Sequence, residues 1–165
     1  MRVLVTYGST RGGTDRLAHW LAEELTARGH TVDLCPAQAS RHLGAEDAVV
    51  VGALYAGRWH PDARRFVRRH RAALSTRPVW FFSSGPLGDE AAATEAAPVP
   101  QVARLMAMVG ARGHRTFGGR LDAGAKGFLA SKIARRTAGD WRDRDDVAGF
   151  AAMIDRTLRE PAQVA

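Results

Sequence analysis

Gly8-Ser9-Thr10-Arg11-Gly12-Gly13-Thr14 decides how this chain is read, because of what stands on either side of it. Before it runs Met1-Arg2-Val3-Leu4-Val5-Thr6-Tyr7, a β-rich segment in which Val3 and Val5 alternate with Arg2 and Leu4. After it comes Asp15 to Leu25, with Leu17, Leu21 and Leu25 at every fourth position and Ala18 and Ala22 beside them, the spacing of an amphipathic helix. Strand, small hydroxyl-and-glycine loop, helix is the order in which an α/β fold presents a helix N-terminus to an anion. Unpaired amide N–H groups and the positive end of the helix dipole converge at such a loop. Ser9, Thr10 and Thr14 add hydroxyl donors, and Gly12 and Gly13 let the backbone curl closely around a guest. A plain Gly/Ser turn joining strand to helix is the competing reading.

The type of anion follows from what the loop lacks. A P-loop needs Lys followed by Ser or Thr after its second Gly, and no Lys stands here. The dinucleotide fingerprint G-x-G-x-x-G does not fit the spacing of Gly8, Gly12 and Gly13. Hydroxyls and amides without a lysine suit a monoester phosphate neutralised by dipoles.

Outward from this loop, strand-like and helix-like segments alternate. Gly29 stops the first helix, His30 to Cys35 reads as a second strand closed by Pro36, and Asp47 to Gly52 is apolar enough for a strand covered on both faces. Pro61 opens a helix with Ala63, Phe66, Val67, His70 and Leu74 on one side; Pro78 to Phe82 is a fourth strand. An Ala/Pro stretch, Glu90 to Pro100, precedes a helix over 101–109, and His114 to Gly118 reads as a fifth strand. Asp140 to Asp143 reads as a polar turn, and Asp145 or Asp146 as the cap of a last helix over 147–158. The pattern predicts one α/β domain over residues 1–160: a five-stranded parallel sheet with helices on both faces, an insertion at about 123–139 and a tail over 161–165. Ligands in such sheets bind beyond the C-terminal strand ends.

Bulk properties limit the classes of function. The 165 residues, 45% hydrophobic and 25% charged, suit one soluble globular domain. The longest apolar run, Ala48 to Ala56, falls well short of the ~18 residues of a membrane span. The start of the chain has no signal-peptide pattern, so the cytoplasm is the expected compartment. A single cysteine, Cys35, excludes an internal disulfide and reads as a small buried residue. The six histidines form no close ligand pair, no nucleophile elbow is present, and no Ser/His/Asp set can be assigned; metal and hydrolase chemistry are not expected. The net charge of +7 calls for an acidic partner: anionic lipid, a carboxylate-bearing substrate or nucleic acid. Nucleic acid fits least, because aromatics are not interleaved with the basic residues.

Two later loops follow strand ends. Ala53, Leu54, Tyr55, Ala56, Gly57 and Trp59 offer flat apolar cover, although Tyr55 and Trp59 taken singly read as packing aromatics. Ser83, Ser84 and Gly85 offer backbone polar groups, Pro86 fixes a turn, and Leu87 follows it. Together with Ser9, Thr10, Arg11, Gly12, Gly13 and Thr14 they form the candidate binding set.

With these residues in view, Gly8 to Thr14 resembles the phosphate loop of flavodoxins, departing from it at Arg11 and Gly13. Ser9-Thr10-Arg11 is similar to the loop of menaquinone-dependent protoporphyrinogen dehydrogenases, a flavodoxin-like family. Gly52 to Trp59, Phe82 to Leu87, Phe117 to Asp122 and Gly139 to Arg142 look like segments of the same group. The resemblance implies strand order 2-1-3-4-5, an FMN cofactor with a deazaflavin left open, and no catalytic side chain beyond the flavin itself. It implies oxidation of a porphyrinogen-like small molecule with a quinone or redox protein as acceptor. A flavodoxin-type electron carrier, and an adaptor that binds no flavin, are the alternatives. Arginines at 64, 65, 68, 69 and 71 and basic residues of the insertion read first as solvated helix faces; as functional groups they would meet an anionic inner-membrane surface or, equally, the propionates of a tetrapyrrole, and a homodimer is open.

Overall fold

The computed structural model describes residues 1–9, 13–53, 58–85, 97–121 and 139–160. Its central strand is β1 (Arg2–Gly8), which pairs in parallel with β2 (Thr31–Pro36) on one side and β3 (Ala48–Ala53) on the other. Then come β4 (Val79–Ser84) beside β3 and β5 (Gly113–Phe117) beside β4, giving five parallel strands in the order 2-1-3-4-5. The chain moves outward from β1 in both directions, so the order reverses next to the β1–α1 loop.

Period-two patterning assigns each apolar residue to a layer. Val3, Val5, Ala48, Val50, Trp80 and Phe82 share one core with α1 (Gly13–Ala27) and the C-terminal helix. Leu4, Val49, Val51, Val79 and Phe81 share the other with α2 (Pro61–Arg69), α3 (Arg71–Leu74) and α4 (Pro100–Val109). The mid-strand Trp80 is a core residue, as its position predicts. Gly52 makes room for an aromatic ring: a Cβ there would lie 1.9 Å from Phe82 Cζ. Turns close where the sequence supplies left-handed glycines, Gly29 after α1 (φ 89°) and Gly110 at the end of α4 (φ 63°).

Several local expectations are corrected. The helix from Pro61 does not run unbroken to Leu74; it ends at His70, whose backbone (φ −102°, ψ 15°) leaves the helical region before α3 begins. Residues 139–140 are not merely a turn: Arg120–Leu121 (β6) and Gly139–Asp140 (β7) form a short antiparallel pair. That pair sets Trp141 against Gly118, where a Cβ would meet the Trp141 carbonyl oxygen. The last helix, α5 (Arg144–Arg159), is capped by Asp143, whose carboxylate accepts the Asp145 N–H at 2.8 Å, and not by Asp145 or Asp146. Cys35 is half-buried. The predicted insertion, apart from Gly139, and the tail lie outside the described residues.

Candidate functional site

Three strand ends meet on the C-terminal edge of the sheet. Gly8 of β1 stands opposite Ala53 of β3, and Gly52 opposite Phe82 of β4, so Ser83 and Ser84 extend β4 beyond the end of that ladder. Ser9 leaves β1 half-buried, and Gly13 and Thr14 begin α1 with Thr14 buried. The N–H groups of this first turn have no intrahelical acceptor and carry the positive end of the dipole of a 15-residue helix. A Cβ on Gly13 would lie 3.6 Å from Ser84 Oγ, so the β4 loop forms a hydroxyl-bearing wall beside the helix start. Of the expected binding residues, Ser9, Gly13, Thr14, Ala53, Ser83, Ser84 and Gly85 are thus brought to one edge. Thr10, Arg11, Gly12, Leu54, Tyr55, Ala56, Gly57, Pro86 and Leu87 lie outside the described residues.

Trp59 lies in the interior of the sheet's edge. Its indole is 1% exposed and packs on Phe81, with ring centroids 4.5 Å apart. The indole N–H donates to Ser83 Oγ at 3.0 Å, and the Trp59 backbone N–H donates to Gln101 Oε1 at 3.1 Å. Such an aromatic is an interior wall that anchors the end of the second loop. Ser83 Oγ also lies 2.9 Å from His114 Nε2. Burial lowers the His114 pKa to about 4, so the imidazole is neutral.

Gly85 departs from expectation. Its N–H is spent on the Phe117 carbonyl at 2.8 Å, extending the β4–β5 ladder by one rung. Groups alternate sides along a strand, so Ser84 turns its own backbone toward β3, where pairing has already stopped. Of the two, Ser84 is the residue with polar groups to offer.

Sequence reading passed over His60. A Cβ on Gly8 would sit 2.7 Å from His60 Cβ, so a glycine at the end of β1 lets the imidazole pack against it. His60 Nδ1 accepts the Asp62 N–H at 3.3 Å and caps α2. The signal was present: His60 directly precedes Pro61, the favoured first residue of a helix.

Beside the loop lies a cavity of about 250 Å³ lined by Tyr7, Gly8, Ser9, Asp15, Pro36, Gln38 and Asp62. It is large enough for a phosphate-sized group but smaller than the ~300–1,000 Å³ of a whole small-molecule pocket. Its two carboxylates have partners: Asp62 is 3.1 Å from Arg65, and Asp15 is bonded to Tyr7, whose phenol is pushed up to about 12 by burial and by that carboxylate. Among the described residues, no three His, Cys, Asp or Glu side chains converge as a metal site, and no helix is long and apolar enough to cross a membrane.

A doubly wound parallel sheet of order 2-1-3-4-5, with an anion-ready helix start at the point where the order reverses, defines the flavodoxin-like class of α/β proteins. The chain belongs to the flavodoxin domain family, whose profile matches residues 4–137. Among solved structures it is similar to rubredoxin oxygen:oxidoreductase from Desulfovibrio gigas (17% identity, TM-score 0.66), covering 96% of this chain and 36% of that one. It is similar to oxidised flavodoxin 2 from Bacillus cereus (18%, TM-score 0.63; 95% and 99% covered). A flavodoxin from the domain Archaea gives 16% and a TM-score of 0.57, with 92% and 99% covered. At such identities the likeness is one of fold. The chain spans about a third of the length of the D. gigas oxidoreductase. No curated protein matches it.

Proposed function

We propose that this chain is an FMN-binding oxidoreductase of the flavodoxin type. One observation carries the reading: the first turn of α1 at Gly13 and Thr14, walled by Ser84, lies at the reversal of strand order in a member of the flavodoxin domain family. The described residues fit a phosphate ester, since they supply amide and hydroxyl donors without a competing side-chain anchor. When bound, the flavin supplies the electron uptake and release, so no side chain has to act as a nucleophile. Thr14 and the first-turn amides bind the phosphate, and Ser9 extends that nest along the loop. Ser84 presents its hydroxyl and β3-facing backbone to the cofactor. Trp59, tied to Ser83 and Gln101, anchors the end of the second loop to the end of β4 and to α4.

The finer reading is a protoporphyrinogen dehydrogenase-like enzyme with a quinone acceptor. It is supported by the sequence likeness of Ser9-Thr10-Arg11, Phe117 to Asp122 and Gly139 to Arg142. Anaerobic mixing of flavin-loaded protein with protoporphyrinogen should bleach the flavin, and menaquinone should restore its colour. No bleaching would remove the substrate while leaving the cofactor in place. An electron carrier without its own substrate is the second reading, favoured by the near end-to-end match to single-domain flavodoxins. It predicts one-electron steps in a redox titration and indifference to porphyrinogen. Mass identification of the released chromophore separates FMN from a deazaflavin.

A further inference from the structure

The two helical layers carry opposite charge. On α1 and α5, six carboxylates stand against four arginines, and many are tied together: Arg144 with Glu23 at 2.8 Å and Arg159 with Asp155 at 2.6 Å. On α2 and α3, five arginines stand against a single carboxylate, Asp62. Asp62 is taken by Arg65, and among the described residues Arg64, Arg68, Arg69 and Arg71 have no ion-pair partner. At 100° per residue along α2, Arg64 and Arg68 fall on one stripe and Arg65 and Arg69 on the next, opposite buried Ala63, Phe66 and Val67, and exposed Arg71 follows the break at His70. Arg64 with Arg68 and Arg65 with Arg69 are like-charge neighbours four residues apart, which weaken a helix unless something neutralises them.

We infer that the arginine face of α2 and α3 docks the acidic surface of a small electron-transfer protein. The face begins at the candidate site: α2 is capped by His60, which packs on Gly8 at the mouth of the phosphate loop. Arg64 and Arg65, in the first turns of α2, are the arginines of this face nearest in sequence to that cap. A nine-residue helix gives a small, charge-steered contact, the kind that weak electron-transfer complexes use. A bilayer is the poorer occupant. Among the described residues the exposed large hydrophobics are Met1 and Met108, and neither is on α2 or α3, so the face has no apolar side chain to insert. The proposal rests on the flavoprotein reading for the electrons but not for the contact.

The test titrates the purified protein with plant-type ferredoxin as the acidic probe, by calorimetry at low and at physiological salt. Arg68→Glu is compared with Arg156→Glu, an equal charge change at an exposed site on α5. The expected result is salt-sensitive binding that weakens at least tenfold in Arg68→Glu and less than twofold in Arg156→Glu. Equal losses in both variants, or no binding by the wild type, would overturn the proposal. So would binding to phosphatidylserine-containing vesicles that depends on Arg68 while ferredoxin is ignored. Flavin content is read separately from the absorbance spectrum, so a colourless protein that still docks ferredoxin retains the contact and loses the redox role.

Discussion

The Trp59 indole N–H donates to Ser83 Oγ at 3.0 Å, and the same hydroxyl is hydrogen-bonded to His114 Nε2 across 2.9 Å. One serine thereby ties the end of the second loop to β4, which carries the third, and to β5. Ser83 and Trp59 are both buried, so this bond has no ready replacement in water.

Ser83→Ala should strand the Trp59 N–H in the core. An unsatisfied buried donor costs about 1–3 kcal/mol. Urea unfolding should show that loss as a lower midpoint at an unchanged slope. A change below about 0.5 kcal/mol would mean the indole finds another acceptor.

His114 makes stability depend on pH in a defined direction. Its folded pKa, about 4, lies below the ordinary value of 6.5, so the unfolded chain binds more protons between those limits. The stability tied to the neutral ring is complete above about pH 6.5 and is lost as pH falls toward 4. Screening of this partly exposed ring limits the effect to about 1–2 kcal/mol. His114→Gln, measured beside wild type at pH 7 and 4.5, should lose less stability on acidification; parallel losses would contradict the assignment.

Two glycines should respond oppositely to alanine. Gly52→Ala drives a methyl into the Phe82 ring and should cost about 1–3 kcal/mol or more. Gly149, inside α5 with nothing within 4 Å of its Cβ position, should gain about 0.5–1 kcal/mol as alanine. Thermal melts of both variants check the pair.

Thr14→Val keeps the buried shape and deletes the hydroxyl. Affinity for FMN should fall about tenfold, the worth of one hydrogen bond of about 1.4 kcal/mol. Riboflavin, which lacks the phosphate, should bind both proteins alike. Equal losses for the two ligands would place Thr14 away from the phosphate.

Much of the fold was legible because its signals are periodic. The fourfold leucine spacing of α1, the unbroken apolar run of β3 and the Gly29 stop each have a single physical reading, and the structure follows them. The misreadings fall where local pattern is silent. Apolar spacing continues through His70 to Leu74, so nothing in it announces the break. Asp143, Asp145 and Asp146 are all competent caps, and the extended backbone at Asp143 makes the choice. A two-residue strand such as Gly139–Asp140 is too short to show alternation. At the site, the sequence marked which loops carry polar and aromatic groups, but not whether each group was already engaged. Trp59, offered as apolar cover but reading singly as a packing aromatic, is locked onto Phe81 and Ser83; Gly85 looked like a donor and serves Phe117. Those bonds join residues 24 and 32 positions apart, and only the folded chain brings them together.

The central claim is most directly tested by adding FMN to the cofactor-free protein and following the quenching of flavin fluorescence, with riboflavin in parallel. Stoichiometric quenching at one FMN per chain, with markedly weaker binding of riboflavin, is the result expected. A protein that leaves FMN fluorescence unchanged, or binds the two ligands equally, would contradict a phosphate nest at the start of α1.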